Sequence, residues 1–379
     1  MTVKELIARS KAAQAEFAFA TQEQADAAAK AICKVVYDNA EKLGPMAAEE
    51  SRMGSEQDKI AKCRNKSALI WESLKGKKSC DIINRIEERR MIEVAKPVGV
   101  VASIIPSTNP VVTPMSNGAF ALKCRNSVIF APHPRAVKCT KLLVEMFRAE
   151  LKKLGLPEDL VQGLEEVSND LTSELMSAAD MVVATGGMGM VKAAYSSGKP
   201  AIGVGQGNVQ CIVDEDADIA DAVGKIIIGR AFDNGLICLG EQTVFVPEDK
   251  EAEFVAEMKK QGGYLVEGEE NVDKLREGLF PGGGAFSRVV VGMFADQVSD
   301  EIGLGAPKGT RVLFAKAKAL GAGDVLCREK LCPVIAYMTY KTFKEGVAMM
   351  EANLDHEGKG HSIAVHSNTP ENVEYAAIR

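Results

Sequence analysis

The sequence predicts an α/β protein built on two mostly parallel sheets. Three observations carry this. After Pro97, apolar runs of strand length alternate with helical stretches. VGVVASIIP, NSVIFAP and MVVAT are apolar almost throughout, as strands covered on both faces are. A second set, TVFVP, RVVVG, RVLFA and VIAYMTY, resumes after Cys238 with helices between.

The elements follow in order. Residues 2 to 75 read as helices, and Thr21 with Gln24 in TQEQ forms the capping box of ADAAAKAICKVV. Ile70, Trp71 and Leu74 recur at helical spacing as a core stripe. Between Ser79 and Lys96, CDIINRIEERRMIEVAK is two β-prone runs around a charged turn, a hairpin arm leaving the main body. VTPMSNGAFALKC, AVKCTKLLVEMFRAELKKLG, VKAAYSSG and DKEAEFVAEMKKQG are the helices between strands, with glycine-rich AIGVGQGN near the junction of two domains.

Composition narrows the class. The 379 residues are 46% hydrophobic and 26% charged, enough for two domains with a core each. Forty-six Lys and Arg against 52 Asp and Glu give −6, and no basic patch suits nucleic acid. Nine cysteines at irregular spacing, without CxxC pairs, argue against a disulfide framework and a zinc site, and for reduced thiols in the cytoplasm. MTVKELIARSKAAQAEF is charged and helical, unlike a signal peptide, and no apolar run reaches membrane-spanning length.

Three segments carry candidate chemistry. In ATGGMGMVKAAY, Gly186, Gly187 and Gly189 open a helix after a strand, where backbone N–H groups and the helix dipole favour a phosphate. Lys192 stands where the third glycine of GxGxxG belongs, and a tight turn that binds nothing explains the residues as well. In IIPSTNP, Asn109 offers two amide donors suited to an oxyanion, or serves as a loop cap. In FDNGLICLGEQ, Cys238 follows an Asn-Gly turn and is a nucleophile or a structural thiol; Glu241 beside it would not lower a thiol pKa.

In combination, GVVASIIPSTNP, ALKCRNSVIFAPHPRA, ATGGMGMVKAAYSSGKPAIGVGQGNV, FDNGLICLGEQ, EKLCPVIAY and GHSIAVHS resemble, in this order, the CoA-acylating aldehyde dehydrogenases. The resemblance runs along essentially the whole chain. It is to the branch holding acylating succinate-semialdehyde dehydrogenases and the aldehyde domain of bifunctional aldehyde–alcohol dehydrogenases; VTPMSN and HSIAVHS lean toward the former.

The resemblance implies an aldehyde dehydrogenase-like α/β fold: two Rossmann-like parallel-sheet domains plus a β-hairpin oligomerisation arm. Residues 1–78 and 98–204 would bind the dinucleotide, 79–97 form the arm of a homodimer or homotetramer, and 205–379 carry the thiol. It implies Cys238 as nucleophile and Asn109, with the Cys238 N–H, at the oxyanion. Ile105, Pro106 and Ser107 would line the nicotinamide end, His133 and Pro134 the adenosine end, Gly187 the pyrophosphate and Glu329 the ribose. His361 matches a family position that assists thiol chemistry, or is a histidine bonded at a seam. No residue is assigned as base for Cys238 or the CoA thiol.

The glutamate that activates water in hydrolytic members aligns with Gly203, and AIGVGQGN holds no carboxylate. Loss of that base slows water attack by ~10²–10⁴-fold, so coenzyme A takes the acyl group. Glycine there also permits close packing. The loop APHPRA lacks the acidic residue that repels a 2′-phosphate, and Arg135 attracts one, so the cofactor is NAD or NADP, with coenzyme A as co-substrate. The expected substrate pair is succinate semialdehyde and succinyl-CoA. Alternatives are acetaldehyde or another short aldehyde, a hydrolytic dehydrogenase, and an inactive truncated nucleotide-binding homologue. Family members run some tens of residues past the match to Arg379, so the catalytic domain is expected to be C-terminally incomplete or shortened, lacking its last strand and the one that pairs with the arm.

Overall fold

The computed structural model describes residues 1–379. Its strands are β1 (Asp81–Ile86), β2 (Met91–Ala95), β3 (Val100–Ile105), β4 (Ser127–Pro132), β5 (Val161–Gly163), β6 (Met181–Thr185), β7 (Ala201–Val204), β8 (Gln210–Val213), β9 (Thr243–Pro247), β10 (Gly263–Leu265), β11 (Val312–Lys316), β12 (Val334–Tyr340) and β13 (Ile363–His366). The chain divides into two compact units, Met1–Arg52 with Glu56–Gly205, and Met53–Ser55 with Gln206–Arg379. No helix is long and apolar enough to cross a membrane.

In the first unit a five-stranded sheet runs in the order β5-β4-β3-β6-β7, every pair parallel. Helices cover both faces, so β3 and β4 are buried along their whole length. That is why their sequences are apolar without alternation. Period two still sorts the residues. Val101 and Ile105 join the core with the helices Gln22–Asp38, Val112–Lys123 and Val137–Lys153, while Val100, Ala102 and Ile104 join Val3–Phe17 and Asn169–Ala178. The Thr21–Gln24 capping box is present, and Ile70, Trp71 and Leu74 pack against the first of these cores.

The hairpin is present as β1 and β2, antiparallel around a short 3-10 turn at Glu87–Arg89. Ile82, Ile83, Met91, Ile92 and Val94 remain exposed on it.

The second unit holds a six-stranded sheet in the order β10-β11-β12-β9-β8-β13, also parallel throughout. It begins at Gln210, ahead of Cys238. One expected strand is absent: RVVVG forms a bend. Of its valines only Val290 is fully buried, Val289 lies exposed, and Gly292 turns the chain with φ of 69°. The Gly292 N–H donates to the Leu331 carbonyl, and its own carbonyl accepts from Gly54 N–H and Asn234 Nδ2, so no ladder partner is left. Conversely, β5, β7, β8, β10 and β13 are three or four residues long, too short to declare themselves as apolar runs.

Candidate active site

In the first unit the strand order reverses direction at β3: the chain builds outward through β4 and β5, then returns to add β6 and β7 on the other side. Ligands of open α/β sheets bind beyond the carboxyl ends of strands at such a switch point. Ile105 ends β3 there, followed by half-buried Pro106, Ser107 and Asn109. His133 and Pro134 stand exposed just past β4, and the His133 N–H donates to the Ile105 carbonyl at 2.9 Å, tying the two strand ends together. Gly187 caps the helix Met188–Tyr195 after β6 without any side-chain cap, leaving its first N–H groups without a side-chain partner. A β-carbon placed on Gly187 or Gly189 would meet nothing within 4 Å. This open helix end fits a dinucleotide pyrophosphate. Arg135, exposed beyond β4, is the cation nearest in sequence to the expected adenosine residues.

Asn109 has a partner that no local pattern suggests. Its Oδ1 accepts from Lys62 Nζ at 2.9 Å, across 47 residues of sequence, and its Nδ2 makes only a long 3.3 Å contact to Thr108 Oγ1.

In the second unit the helix Ile219–Ala231 runs into a tight turn with three left-handed residues in succession, Asp233, Asn234 and Gly235. For the two with side chains this costs of order 1 kcal/mol each, and their bonds hold it: Asp233 accepts from the Ser55 N–H and Asn234 donates to the Gly292 carbonyl. The turn delivers Cys238 and Leu239 to the surface while Asp233 through Leu236 stay buried.

Arg230 anchors this loop. The guanidinium is fully buried and bonded wholly to carbonyl oxygens: Gly235 and Gly240 on the loop, and Lys330 and Cys332 on the segment before β12. Gln242 adds a second clasp, accepting from the Lys330 N–H at 2.9 Å and donating to the Lys330 carbonyl. The nucleophile candidate and Glu329 therefore ride on one fastened substructure. Lys330 is buried completely, its amine pulled down to about 7 by burial and by Arg230, and it donates to the Leu326 and Arg328 carbonyls.

Three of the expected residues meet at Gly207. A β-carbon there would lie 2.5 Å from the Cys238 carbonyl oxygen, 3.2 Å from Cys238 Cβ and 3.2 Å from His361 Nε2. The Gly207 N–H donates to Glu329 Oε1 at 2.8 Å. Burial raises the Glu329 carboxyl, the Gly207 bond opposes this, and Glu357 adds to the rise. Burial lowers the His361 imidazole, which is thereby kept neutral near pH 7, and its Nδ1 is buried without a partner. Thiol, neutral imidazole and carboxyl thus gather around one residue without a side chain.

Packing disposes of two positions for a water-activating carboxylate, Gly203 and Glu241. At Gly203 a β-carbon would sit 2.7 Å from Val191 Cγ1 and 2.9 Å from Tyr195 Cε2, so the helix Met188–Tyr195 already fills the place of any glutamate. Glu241 lies against the helix at Gly229, where its Oε2 would stand 2.5 Å from an added β-carbon; burial raises its carboxyl.

The sequence reading missed Lys62, Arg230, Gln242 and Gly207. Each acts through a partner far along the chain; Gly207 and Gln242 sat inside segments already singled out, the one as a glycine among several and the other as the last residue of FDNGLICLGEQ.

The model of the aldehyde dehydrogenase family matches residues 1–274. Succinate-semialdehyde dehydrogenase (acetylating) of Clostridium kluyveri is 48% identical over 376 residues, covering 99% of this chain and 83% of that protein. The crystal structure of an acetylating aldehyde dehydrogenase from Geobacillus thermoglucosidasius superposes with a TM-score of 0.94 at 35% identity, over 99% of this chain and 83% of the other. A Rhodopseudomonas palustris propionaldehyde dehydrogenase, solved with bound CoA and an acylated cysteine, gives 0.87 at 27% identity, over 100% and 85%.

Proposed function

The chain belongs to the aldehyde dehydrogenase family, among its CoA-acylating members, and from that premise we propose that Cys238 is the nucleophile and succinyl the acyl group it carries. The observation supporting this most directly is the meeting of Cys238, His361 and Glu329 at Gly207, with no carboxylate in the stretch 201–209. The succinyl assignment leans on the likeness to the Clostridium kluyveri enzyme.

The thiolate of Cys238 attacks the aldehyde carbon; a C–S bond forms and the carbonyl oxygen takes the electron pair. Asn109 donates to that oxygen from its carboxamide, and the Cys238 backbone N–H gives a second bond. Bound nicotinamide supplies a hydride acceptor for the oxidation of this adduct to a thioester. Gly187 and its helix end hold the pyrophosphate, Glu329 the ribose, Ile105, Pro106 and Ser107 the nicotinamide end, and His133 with Pro134 the adenosine end. NADP is admitted by Arg135 and by the lack of acid in that loop.

Release depends on what reaches the thioester. Without a base for water, the CoA thiolate attacks the acyl carbon, and the C–S bond to Cys238 breaks with its electron pair returning to sulfur. His361, held neutral, takes the proton of the incoming thiol. The first unit would act as the dinucleotide-binding domain and the second as the thiol domain. The exposed apolar hairpin suits a homodimer or homotetramer, and the cysteine usage suits the cytoplasm.

The test runs the reaction in reverse. Purified protein with succinyl-CoA or acetyl-CoA is expected to oxidise NADH or NADPH and release CoA thiol, faster with succinyl-CoA. Cys238→Ala is expected to lose turnover by at least ~10³-fold, together with the acyl adduct seen by intact mass. Aldehyde oxidation to free acid at equal rates with and without CoA would overturn the proposal.

A further inference from the structure

The helix Glu56–Leu74 buries two lysines one turn apart, Lys59 at 3% and Lys62 at 5% exposure. Both reach the same loop: Lys59 Nζ donates to the Thr108 carbonyl at 3.4 Å and Lys62 Nζ to Asn109 Oδ1 at 2.9 Å. Burying an ammonium is costly, and a helix that merely packed would place an apolar residue there. Both amines place a hydrogen bond on the Thr108–Asn109 loop.

We propose that Lys62 is a positioning residue for the reaction, acting through Asn109. This rests on the reading of Asn109 as an oxyanion donor. An ammonium has only donors, so it fixes which end of the carboxamide faces it: the oxygen inward, the NH₂ outward. Without Lys62 the amide could rotate by half a turn and present an acceptor to a developing negative charge. The same charge-assisted bond polarises the carboxamide and strengthens its outward N–H as a donor. A helix that no motif marked thereby sets the donor's direction.

The test uses the acylation half-reaction, which needs no nicotinamide. The rate at which succinyl-CoA acylates Cys238 is followed by intact mass, alongside kcat and KM in the full reverse reaction. Lys62→Met is expected to slow acylation and kcat by roughly 10- to 100-fold, with KM for succinyl-CoA held within about threefold. Lys62→Arg, which keeps a cationic donor, is expected to recover most of the rate. In an Asn109→Ala background, Lys62→Met is expected to add less than about twofold, because the side chain it aims is gone. Lys62→Gln serves if the methionine variant fails to fold.

The outcomes separate. If Asn109→Ala slows acylation while Lys62→Met and Lys62→Gln do not, the Lys62 proposal falls and the Asn109 reading stands. An equal loss from Lys62→Met in both backgrounds means an independent structural role and overturns the proposal. If Asn109→Ala leaves acylation unchanged, both fall together.

Discussion

The turn after β6 and the turns around Cys238 are both rich in glycine, for opposite reasons. At Gly187 and Gly189 the space a side chain would take is open, in front of an uncapped helix end. At Gly207 and Gly235 that space is already filled by the chain itself: the Cys238 carbonyl and His361 in one case, Arg230 and the Cys332 carbonyl in the other. The first pair leaves room for a molecule; the second lets distant segments close on each other. Composition alone does not tell these apart, since both read as Gly-rich punctuation. Adding one methyl group to each does.

The largest effect is expected at Gly235. Its φ is 75°, and an added β-carbon would lie 2.6 Å from both Arg230 Nη2 and the Cys332 oxygen. Gly235→Ala should destabilise the fold by roughly 3 kcal/mol, from left-handed strain and overpacking together, measured by urea unfolding. A cost below about 0.5 kcal/mol would mean that the loop tolerates movement and that Arg230 does not clamp it. Gly207→Ala comes next and should act on rate. The new methyl group would press on the Cys238 carbonyl at 2.5 Å and on His361 at 3.2 Å, so the protein should fold while kcat falls by about 10²-fold through misplacement of the thiol. Normal turnover in Gly207→Ala would break the claim that this glycine holds the catalytic groups in register.

How far the sequence reached follows the same division. Strands β3, β4, β6, β9, β11 and β12 were legible because five to seven largely buried residues leave a continuous apolar run. RVVVG showed the same signal and misled, because hydrophobicity does not reveal that Gly292 spends its backbone bonds on Leu331, Gly54 and Asn234. Cys238, Asn109 and Gly187 were individually ambiguous and gained meaning only from the order of the motifs. Lys62 and Arg230 were invisible for a physical reason: their partners lie 47 and 102 residues away, and a lysine or arginine in a helix normally marks the solvent face. Burial and pairing, the two facts that matter for them, are properties of the fold.

On the open side of the comparison, Gly187→Ala should leave stability unchanged or slightly improved, since φ is −63° and nothing lies within 4 Å. Its effect should fall on the dinucleotide, raising its KM by roughly tenfold through crowding of the backbone N–H groups. An unaltered KM with kcat intact would show that the open turn does not face the cofactor, and the contrast between the two glycine pairs would lose its functional half.

The smallest effect at neutral pH tests what the closed side buries instead of a ligand. Lys330 is fully buried, with its amine pulled from 10.5 to about 7, mainly by desolvation and then by Arg230. Between those values the unfolded chain holds a proton that the folded chain lacks. Stability should therefore rise as pH climbs from about 7 toward 10.5, and this contribution should be flat below 7, where both states are protonated. Other groups titrate in the same range, so the quantity to measure is the difference between wild type and Lys330→Met. That difference should change by up to about 1.4 kcal/mol per pH unit between pH 8 and 9, with the methionine protein losing the slope and little else at pH 7. Parallel curves would mean that Lys330 stays charged in the fold, its ammonium satisfied by the Leu326 and Arg328 carbonyls. The thiol segment would then carry two buried cations, and the tight closure around Gly207 and Gly235 would have to hold against their repulsion.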